Sequence, residues 1–275
     1  MEAAQVVADG SQSQTTCPSW SPRDYLEKYR VVPKYDDSMD LIQQQCIFLL
    51  DAYHKFYANY RRSLDPGSAR LLEYGGGPSI AALISGCVHV KEIVFSDYML
   101  ENCQEVEKWV VNDPDAFNWT PFFKHVVCQL EENPGEEAVK KRKQMLRSKI
   151  TAFASANIRN SQPLESDFGE FDIVSCNFVL GVANDNKQQF EESVKKLSGL
   201  IKPNGYLLLM ESIEEHWYSV NDIKCPHLSL KPDEILHSLE KAGFKVLGSQ
   251  NWNIPEYRPH YTNDAKSKMF FIAQK

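Results

Sequence analysis

The sequence predicts an α/β fold in which helices cover both faces of a mainly parallel sheet. Strand-like apolar segments alternate with helix-compatible segments from residue 67 onwards, which is the pattern of a parallel sheet. Three glycines, Gly75 to Gly77, separate the first of these strands from the segment that follows it. Two apolar segments near the end, 244–247 and 268–273, form a closing pair, so the last strand is predicted to be antiparallel.

The composition fits one large domain preceded by an extension. With 275 residues, of which 43% are hydrophobic, the chain is long and apolar enough to bury a full core. A net charge of -7 excludes general binding to nucleic acid or anionic membranes, since both require a basic surface. No apolar run is long enough for a membrane span or a leader peptide. Seven dispersed cysteines without a Cys-x-x-Cys pair predict reduced thiols, a cytoplasmic protein and no metal site, and we take a monomer as the default.

The N-terminal part is predicted to be a disordered tail followed by two helices. Residues 1–18 are small and polar without periodicity, which predicts disorder. Ser21 and Pro22 are suited to cap and open a helix over residues 20–30. Tyr25 and Tyr29 share one face of this helix, where they either pack onto the core or form a lid over a ligand. A second helix over 38–60 completes a helical lid region, 19–66, ahead of a core, 67–275, in one domain over 19–275.

The core is predicted to alternate strands and helices as far as the closing pair. Strands are predicted at 71–74, 91–95, 122–128, 150–154, 171–178 and 206–210. Helices are predicted at 79–84, 100–111, 136–148, 187–200 and 231–242. The basic run at 140–143 is interpreted as the solvated face of one helix, because acidic residues precede it.

The glycine turn indicates a nucleoside cofactor. Glycines between a strand and a helix let the backbone approach a ligand closely, and Asp97 follows them by about twenty residues, where an acid usually holds ribose hydroxyls. The glycines do not complete the pyrophosphate fingerprint, and no phosphate-binding P-loop is present. A cofactor without phosphates fits this pattern better, and S-adenosylmethionine is the common one on such a fold. A nicotinamide-dinucleotide oxidoreductase is a weaker alternative.

The predicted strands end in residues suited to one ligand site. Ligands of parallel sheets lie beyond the carboxyl ends of the strands. The residues at those ends are Gly75 to Gly77, Asp97, Asn157, Asn177 and Glu211. We therefore expect carboxylates and amides to converge at one edge of the sheet.

The sequence also resembles a family, the small-molecule N-methyltransferases that act on nicotinamide, phenylethanolamine and indolethylamines. The segments that carry the resemblance are 22–29, 75–78, 91–98, 107–109, 161–164, 200–203, 214–218 and 270–275, and the resemblance covers residues 18–275 in order. The resemblance implies a class I methyltransferase fold, which is Rossmann-like, with a seven-stranded sheet and an N-terminal lid. It also implies S-adenosyl-L-methionine as cofactor and S-adenosyl-L-homocysteine as product.

Carried over residue by residue, the resemblance implies a cofactor site. Tyr25 is expected to stack over the ligands, Gly75 and Gly76 to approach the methionine part, and Asp97 to hold the ribose. The full set is Tyr25, Tyr29, Arg30, Gly75, Gly76, Gly77, Asp97, Tyr98, Asn102, Asn157, Ile158 and Asn177.

The resemblance also implies a substrate site for an amine. Its residues are Tyr25, Glu211, Glu215, Tyr218 and Asp264, of which Glu215 and Asp264 are the catalytic candidates. Either acid is suited to hold an ammonium and receive its proton. Gly181 stands where the nicotinamide enzymes carry Asp and the phenylethanolamine enzymes carry Glu.

We therefore predict methyl transfer to a small amine. The alternatives are pyridine methylation with Glu211 replacing the acid missing at position 181, and a non-catalytic protein that binds S-adenosylmethionine.

Overall fold

The structure is a computed structural model that describes residues 20–30, 39–220, 223–256 and 262–275. The expected disorder of residues 1–18 lies outside this part of the chain. The helices of the described residues are α1 (Pro22–Tyr29), α2 (Leu41–Tyr60), α3 (Leu83–Gly86), α4 (Leu100–Val110), α5 (Thr120–Lys124), α6 (Glu136–Lys149), α7 (Leu180–Ala183), α8 (Lys187–Gly199) and α9 (Pro232–Lys241). Their strands are β1 (Arg70–Tyr74), β2 (Glu92–Asp97), β3 (Ile150–Ser155), β4 (Phe171–Asn177), β5 (Ile201–Ile213), β6 (Trp217–Val220), β7 (Ile223–Pro226), β8 (Lys245–Asn253) and β9 (Ser267–Gln274).

Seven of these strands form one sheet in the order β3-β2-β1-β4-β5-β9-β8. The pairs from β3 to β5 are parallel, whereas β9 runs antiparallel to both β5 and β8. Successive strands lead outward from β1 on one side and from β4 on the other. The junction of β1 and β4 is therefore the topological switch point, where such sheets bind ligands.

Alternation along the strands supplies a hydrophobic core on each face of the sheet. Leu71 and Ile173 belong to the core that α2, α3, α4, α5 and α6 cover, whereas their neighbours Leu72 and Val174 belong to the core under α7, α8 and α9. A strand buried on both faces reads as a continuous apolar run, which explains why β4 was predictable. The predicted mainly parallel sheet with helices on both faces is confirmed.

Local sequence signals account for the N-terminal helices. The Ser21 side chain accepts a hydrogen bond from the Asp24 backbone, and Pro22 occupies the first helical position of α1. Helix α2 begins after Asp40, which forms a capping box with Gln43, rather than at residue 38 as predicted. Within the described ranges, no helix is both long and apolar enough to cross a membrane.

The predicted strand at 122–128 is wrong. Residues Thr120–Lys124 form α5, and a π-helix over His125–Leu130 continues it. Pro121 lies in the first turn of α5, and the buried pairs Phe122–Phe123 and Val126–Val127 recur one helical turn apart. Aromatic and β-branched residues favour strands in isolation, but here burial against α2 and α6 decides the structure.

Three smaller differences concern the lengths and the number of elements. The helix predicted at 79–84 is only the short α3, because Gly77–Ala82 form a turn around the ligand cavity. The turn predicted at 202–205 lies inside β5 as an irregularity, since Ile201 pairs with Phe171 while Tyr206 already pairs with Ile173. The hairpin of β6 and β7 was not predicted.

Candidate functional site

A large cavity lies at the carboxyl ends of the parallel strands, over the junction of β1 and β4. Its volume is about 730 Å³, within the range of small-molecule sites, about 300–1,000 Å³. The turn after β1, the ends of β2, β4 and β5, helix α1 and the β6–β7 hairpin all contribute to its wall. Of the residues expected at this edge, Gly75 to Gly77, Asp97, Asn157 and Asn177 line the cavity.

The glycine turn leaves no room for side chains on the protein side. A Cβ at Gly75 would lie 2.5 Å from the Val179 side chain, and one at Gly76 would lie 2.5 Å from the Phe95 ring. Gly75 and Gly77 also have positive φ angles of 67° and 59°, which glycine adopts at little cost. At Gly77 a Cβ would meet nothing within 4 Å, so the cavity side of this turn is open.

Asp97 organises the end of β2. Its carboxylate accepts hydrogen bonds of 2.8 Å from three donors, the backbone N–H groups of Gly77 and Met99 and the Asn102 side-chain amide. Burial raises the pKa of Asp97, and these bonds oppose the effect because they favour the charged form. Asn102 is held in turn by Trp20, whose indole N–H donates to the Asn102 amide oxygen at 2.9 Å. Asp97 and Asn102 therefore act as one unit beside the cavity.

The residues after β3 form the adjacent wall. Asn157 and Ile158 line the cavity, as the resemblance implied. The amide oxygen of Asn157 accepts a hydrogen bond of 3.0 Å from the Arg159 backbone, so it also stabilises its own turn. Arg159 bonds the Ala183 carbonyl oxygen at 2.6 Å and thereby ties this wall to α7. Tyr98 lines the cavity too, with 47% of its surface exposed.

Helix α1 covers the cavity with an aromatic face. The rings of Trp20 and Tyr25 lie 5.1 Å apart, and those of Tyr25 and Tyr29 lie 4.9 Å apart. The Tyr29 hydroxyl donates to the Ser219 carbonyl oxygen at 2.5 Å, which joins α1 to β6 across the opening. Arg30 lies over the Tyr25 ring, 5.5 Å from its centroid, and bonds the Ser79 hydroxyl at 3.2 Å. Trp20, Tyr25, Tyr29 and Arg30 all contact the cavity.

A buried polar network lies beneath the glycine turn. The Asn177 amide donates to Glu73 Oε1 at 3.2 Å, and its amide oxygen accepts from the Tyr53 hydroxyl at 2.9 Å. Burial raises the pKa of Glu73 to about 8, so this carboxyl is largely protonated at neutral pH unless a cation approaches it. Glu73 Oε2 has no hydrogen-bond partner among the described residues, although Glu73 contacts the cavity.

Three ionisable side chains meet at the end of the cavity away from the glycine turn, where the methyl-accepting substrate is expected; we call this the acceptor end. Glu215 is 2% exposed, and its Oε1 lies 3.5 Å from the Lys268 ammonium. Its Oε2 lies 3.3 Å from His227 Nε2. Lys268 also donates to the Ser212 hydroxyl at 2.6 Å and lies 5.3 Å from the centroid of the Phe178 ring. We call Glu215, His227 and Lys268 the acceptor-end cluster.

The missing side chain at Gly181 makes room for this cluster. A Cβ at Gly181 would lie only 2.2 Å from His227 Cε1 and 2.4 Å from its Nε2. The imidazole therefore occupies the space next to a position where the resembled enzymes carry an acid. His227 and Lys268 were both missed by the sequence analysis, and only the absence of an acid at Gly181 pointed to a substitute nearby.

Two expected substrate residues do not line the cavity. Glu211 is fully buried behind it, where its Oε1 accepts from the Leu180 backbone at 3.0 Å. Asp264 instead accepts from the backbone N–H groups of His216 and Trp217, at 2.8 and 3.2 Å. Its carboxylate thus stabilises the turn before β6, while the neighbouring Asn263 contacts the cavity. Glu215 and Tyr218, the other two acceptor-site candidates outside α1, line the cavity.

The side chains at the opposite end, near the glycines, fit a nucleoside cofactor that carries an amino-acid tail. The glycine turn provides the close backbone approach, and Asp97 provides an acceptor for hydroxyl groups. The unpartnered Oε2 of Glu73 is suited to an ammonium group. This end therefore accommodates the chemical groups of S-adenosylmethionine.

Comparisons with known proteins agree with this geometry. A sequence model of the NNMT/PNMT/TEMT family matches residues 10–275. Human nicotinamide N-methyltransferase is 30% identical over 86% of this chain and 86% of its own length. Human phenylethanolamine N-methyltransferase is 28% identical over 74% of this chain and 73% of its own. The magnesium protoporphyrin IX methyltransferase of Synechocystis, solved with bound SAM, is 12% identical with a TM-score of 0.53, covers 94% of this chain and all of its own, and shows the shared fold.

Proposed function

The chain belongs to the NNMT/PNMT/TEMT family, and we propose that it transfers a methyl group from S-adenosylmethionine to the nitrogen of a small amine of the phenylethanolamine or indolethylamine type. The resemblance drawn from the sequence motifs is thus confirmed at the level of the family. The observation that carries the amine proposal is Glu215, a buried carboxylate in the wall of the cavity. Such a group is suited to hold an ammonium and to accept its proton.

The residues around the glycine turn would hold the cofactor. Gly75 to Gly77 line its path, Asp97 with Asn102 accepts the ribose hydroxyls, and Glu73 with Asn177 receives the amino-acid tail. Asn157 and Ile158 would contact the adenine of the cofactor, while Tyr25, Tyr29 and Arg30 would cover the site from α1 and its end. The cofactor supplies an electrophilic methyl group when bound. What this chain contributes is position and orientation, which carry much of the rate in such transfers.

The N-terminal helices serve as a lid in this proposal. Residues 19–66 include α1, whose aromatic face closes the cavity, and α2, which contributes Leu49 to its wall. The hydrogen bond from Tyr29 to Ser219 holds the lid against the β6–β7 hairpin. Bound ligands would be shielded from water by this contact, which strengthens every polar interaction inside the cavity. A cytoplasmic location and a monomeric state stay predictions.

Pyridine methylation is the second candidate. The 30% identity with human nicotinamide N-methyltransferase favours it, and so does the Lys268 ammonium, which lies 3.5 Å from the carboxylate that would otherwise attract a cation. A pyridine nitrogen carries no proton at neutral pH and needs no base. Glu211 does not support this alternative, because it bonds the backbone of α7 rather than facing the cavity.

A panel of acceptors separates these candidates. We would measure methyl transfer from labelled S-adenosylmethionine to phenylethanolamine, octopamine, tryptamine, nicotinamide and quinoline. Turnover of the amines above the ring nitrogens is expected. Preference for nicotinamide or quinoline would establish pyridine methylation, and binding of the cofactor without any turnover across the panel would favour a non-catalytic binding protein.

A pair of neighbouring acids tests the role of Glu215. E215Q should reduce amine turnover by about 100-fold or more, because general bases contribute at least that factor. E214Q is the matched control, since Glu214 is half-buried and paired with Lys266 outside the cavity. Glu215→Ala should also reduce turnover of hydroxylated amines more than that of plain amines. Equal turnover by E215Q and E214Q would remove Glu215 from the proposal.

A further inference from the structure

His227 is held in an orientation that fixes which of its nitrogens carries a proton. Its Nδ1 lies 3.0 Å from the Leu228 carbonyl oxygen and 3.3 Å from the Glu215 carbonyl oxygen. Both of these atoms only accept hydrogen bonds, so Nδ1 must carry the proton. Nε2 of the neutral ring is then an unprotonated base. Nε2 of His227 can therefore accept a proton.

This nitrogen lies beside the Glu215 carboxylate and is shielded from solvent. Nε2 is fully buried, lies 3.3 Å from Glu215 Oε2, and has no aligned hydrogen-bond partner among the described residues. An unprotonated ring nitrogen gains no hydrogen bond from a neighbouring carboxylate, whereas one additional proton, with a small reorientation of either side chain, allows a charge-assisted hydrogen bond between the two groups. The pair is thus short of one proton.

The surroundings keep His227 neutral until such a proton arrives. Burial lowers the pKa of His227, Glu215 raises it, and Lys268 lowers it. The titratable groups near the ring are Glu215 after β5, Tyr218 of β6 and Lys268 of β9, and Glu211 of β5 interacts in turn with Glu215 and Lys268. The Lys268 ammonium opposes a cation on the imidazole, and together with burial it favours a neutral His227 in the resting state.

We propose that Glu215 and His227 act as a proton-accepting pair, in which Glu215 contacts the acceptor ammonium and His227 Nε2 takes up its proton. The proposal rests on the proposed function, methyl transfer to an amine. The proton leaves the nitrogen, passes to Glu215 Oε2 and then to Nε2, which frees the nitrogen lone pair for attack on the methyl carbon. The Nε2–H bond that forms replaces the N–H bond that breaks, and no electrons are gained or lost. Glu215 is the catalytic residue, and His227 is a positioning residue that acts through it.

The pair also selects a class of acceptor. Only amines that are protonated at the working pH need it, since an amine of low basicity arrives with its lone pair free. The His227 imidazole occupies the space beside Gly181, where the nicotinamide and phenylethanolamine enzymes carry an acidic side chain. In this protein the proton of the acceptor ammonium therefore reaches a neutral base at this place. The structure thus assigns strongly basic aliphatic amines as acceptors.

The test separates proton acceptance from packing with two variants. H227N keeps a donor near the Nδ1 position but removes Cε1 and Nε2. G181A in the H227N background refills the vacated space, because a Cβ at Gly181 points at those two atoms. Each variant would be assayed from pH 6 to 10 with phenylethanolamine and with a ring- and chain-matched fluorinated amine that is unprotonated at pH 7. Binding of S-adenosylhomocysteine is measured alongside.

The expected result is selective. At pH 7 both variants should lose about 100-fold in kcat/KM for phenylethanolamine. The loss should shrink towards pH 10 and be small for the fluorinated amine at every pH. Full rescue by G181A, or equal losses for both amines at all pH values, would show that the ring only fills space and would overturn the inference. If the wild type transfers methyl groups to neither amine while binding S-adenosylhomocysteine, the proposed function fails instead.

A spectroscopic measurement gives a readout besides activity. The ¹⁵N chemical shifts of labelled His227, assigned by comparison with H227N, should show a protonated Nδ1 and an unprotonated Nε2 in the free protein at pH 7. Addition of phenylethanolamine with S-adenosylhomocysteine should shift Nε2 towards the protonated value. An Nε2 that is already protonated in the free protein would overturn the inference.

Discussion

Glu211 offers a sharp test of the electrostatics beneath the cavity. Burial, with a smaller effect of Glu215, raises the pKa of this carboxyl, the backbone of α7 and Lys268 lower it, and the net value is about 8. The substitution E211Q keeps an oxygen that accepts from the Leu180 N–H group and removes the ionisation. Because Glu211 Oε2 has no hydrogen-bond partner among the described residues, the new amide group disturbs no existing bond.

The sign and the size of the effect follow from the two pKa values. Between the ordinary value of 4.5 and the folded value of about 8, the folded state holds the proton that the unfolded state has lost. The free energy of unfolding therefore falls by about 1.4 kcal/mol for each pH unit as the pH rises through this window. Summed over the window, the upper limit is about 5 kcal/mol. The free energy of unfolding of E211Q should not show this fall with pH. E211Q should therefore equal the wild type in stability near pH 5 and be more stable than the wild type at pH 9.

Urea unfolding at pH 5, 7 and 9, followed by tryptophan fluorescence, measures this difference directly. Glu73, whose pKa burial also raises to about 8, contributes equally to both proteins and cancels. E214Q is the control, because a hydrogen bond from Lys266 lowers the pKa of Glu214 and places its titration below this window. Parallel pH profiles for E211Q and the wild type would refute the reasoning, since Glu211 would then be ionised at neutral pH despite its burial.

Two further substitutions test the cofactor end of the cavity. D97A removes the acceptor of three hydrogen bonds. It should weaken S-adenosylhomocysteine binding at least 10-fold by calorimetry, since hydrogen bonds to charged groups contribute about 1.5–3 kcal/mol each. D113A, at a turn near the surface, is the control, and an unchanged affinity of D97A would contradict the role assigned to Asp97. G76A places a Cβ 2.5 Å from the Phe95 ring and 2.9 Å from Glu73 Cγ, so overpacking should cost about 1–3 kcal/mol of stability in thermal unfolding. G199A, where a Cβ meets nothing within 4 Å, is its control, and equal melting temperatures for both variants would show that the turn adapts.

Local signals were sufficient for most of the fold. Continuous apolar runs identified β4, and the cap at Ser21 with Pro22 identified α1, because these signals act within a few residues. The segment 122–128 failed because its strand-forming residues are helical only through contacts with distant elements. Side-chain direction was equally inaccessible. Glu211 and Glu215 lie on the same stretch of chain, but only Glu215 contacts the cavity.

The acceptor end of the cavity was predicted only in part, for a related reason. Its cluster joins Glu215 to His227, twelve residues later, and to Lys268 on the antiparallel β9. No local pattern links these three positions. The position of Asp264 in the sequence suggested a second substrate acid, but backbone N–H groups of the turn before β6 occupy its carboxylate. A residue-by-residue comparison assigns a chemical role to a position in the sequence, but the packing of the fold determines which way the side chain points.

The two ends of the cavity treat positive charge differently, and this difference bears on the reaction. At the cofactor end, the described hydrogen-bond donors to Asp97 and Glu73 are neutral amides and offset none of their attraction for a cationic ligand; such a ligand also favours ionisation of Glu73, whose pKa burial raises to about 8. At the acceptor end, the Lys268 ammonium already offsets the charge of Glu215. An ammonium ligand placed there is attracted by the Glu215 carboxylate and repelled by the Lys268 ammonium. This repulsion lowers the pKa of the ligand and favours the neutral amine. In the proposed reaction, the site would therefore bind the acceptor less tightly as a cation than an isolated carboxylate would, and it would present more of the acceptor in the form that can attack the methyl group.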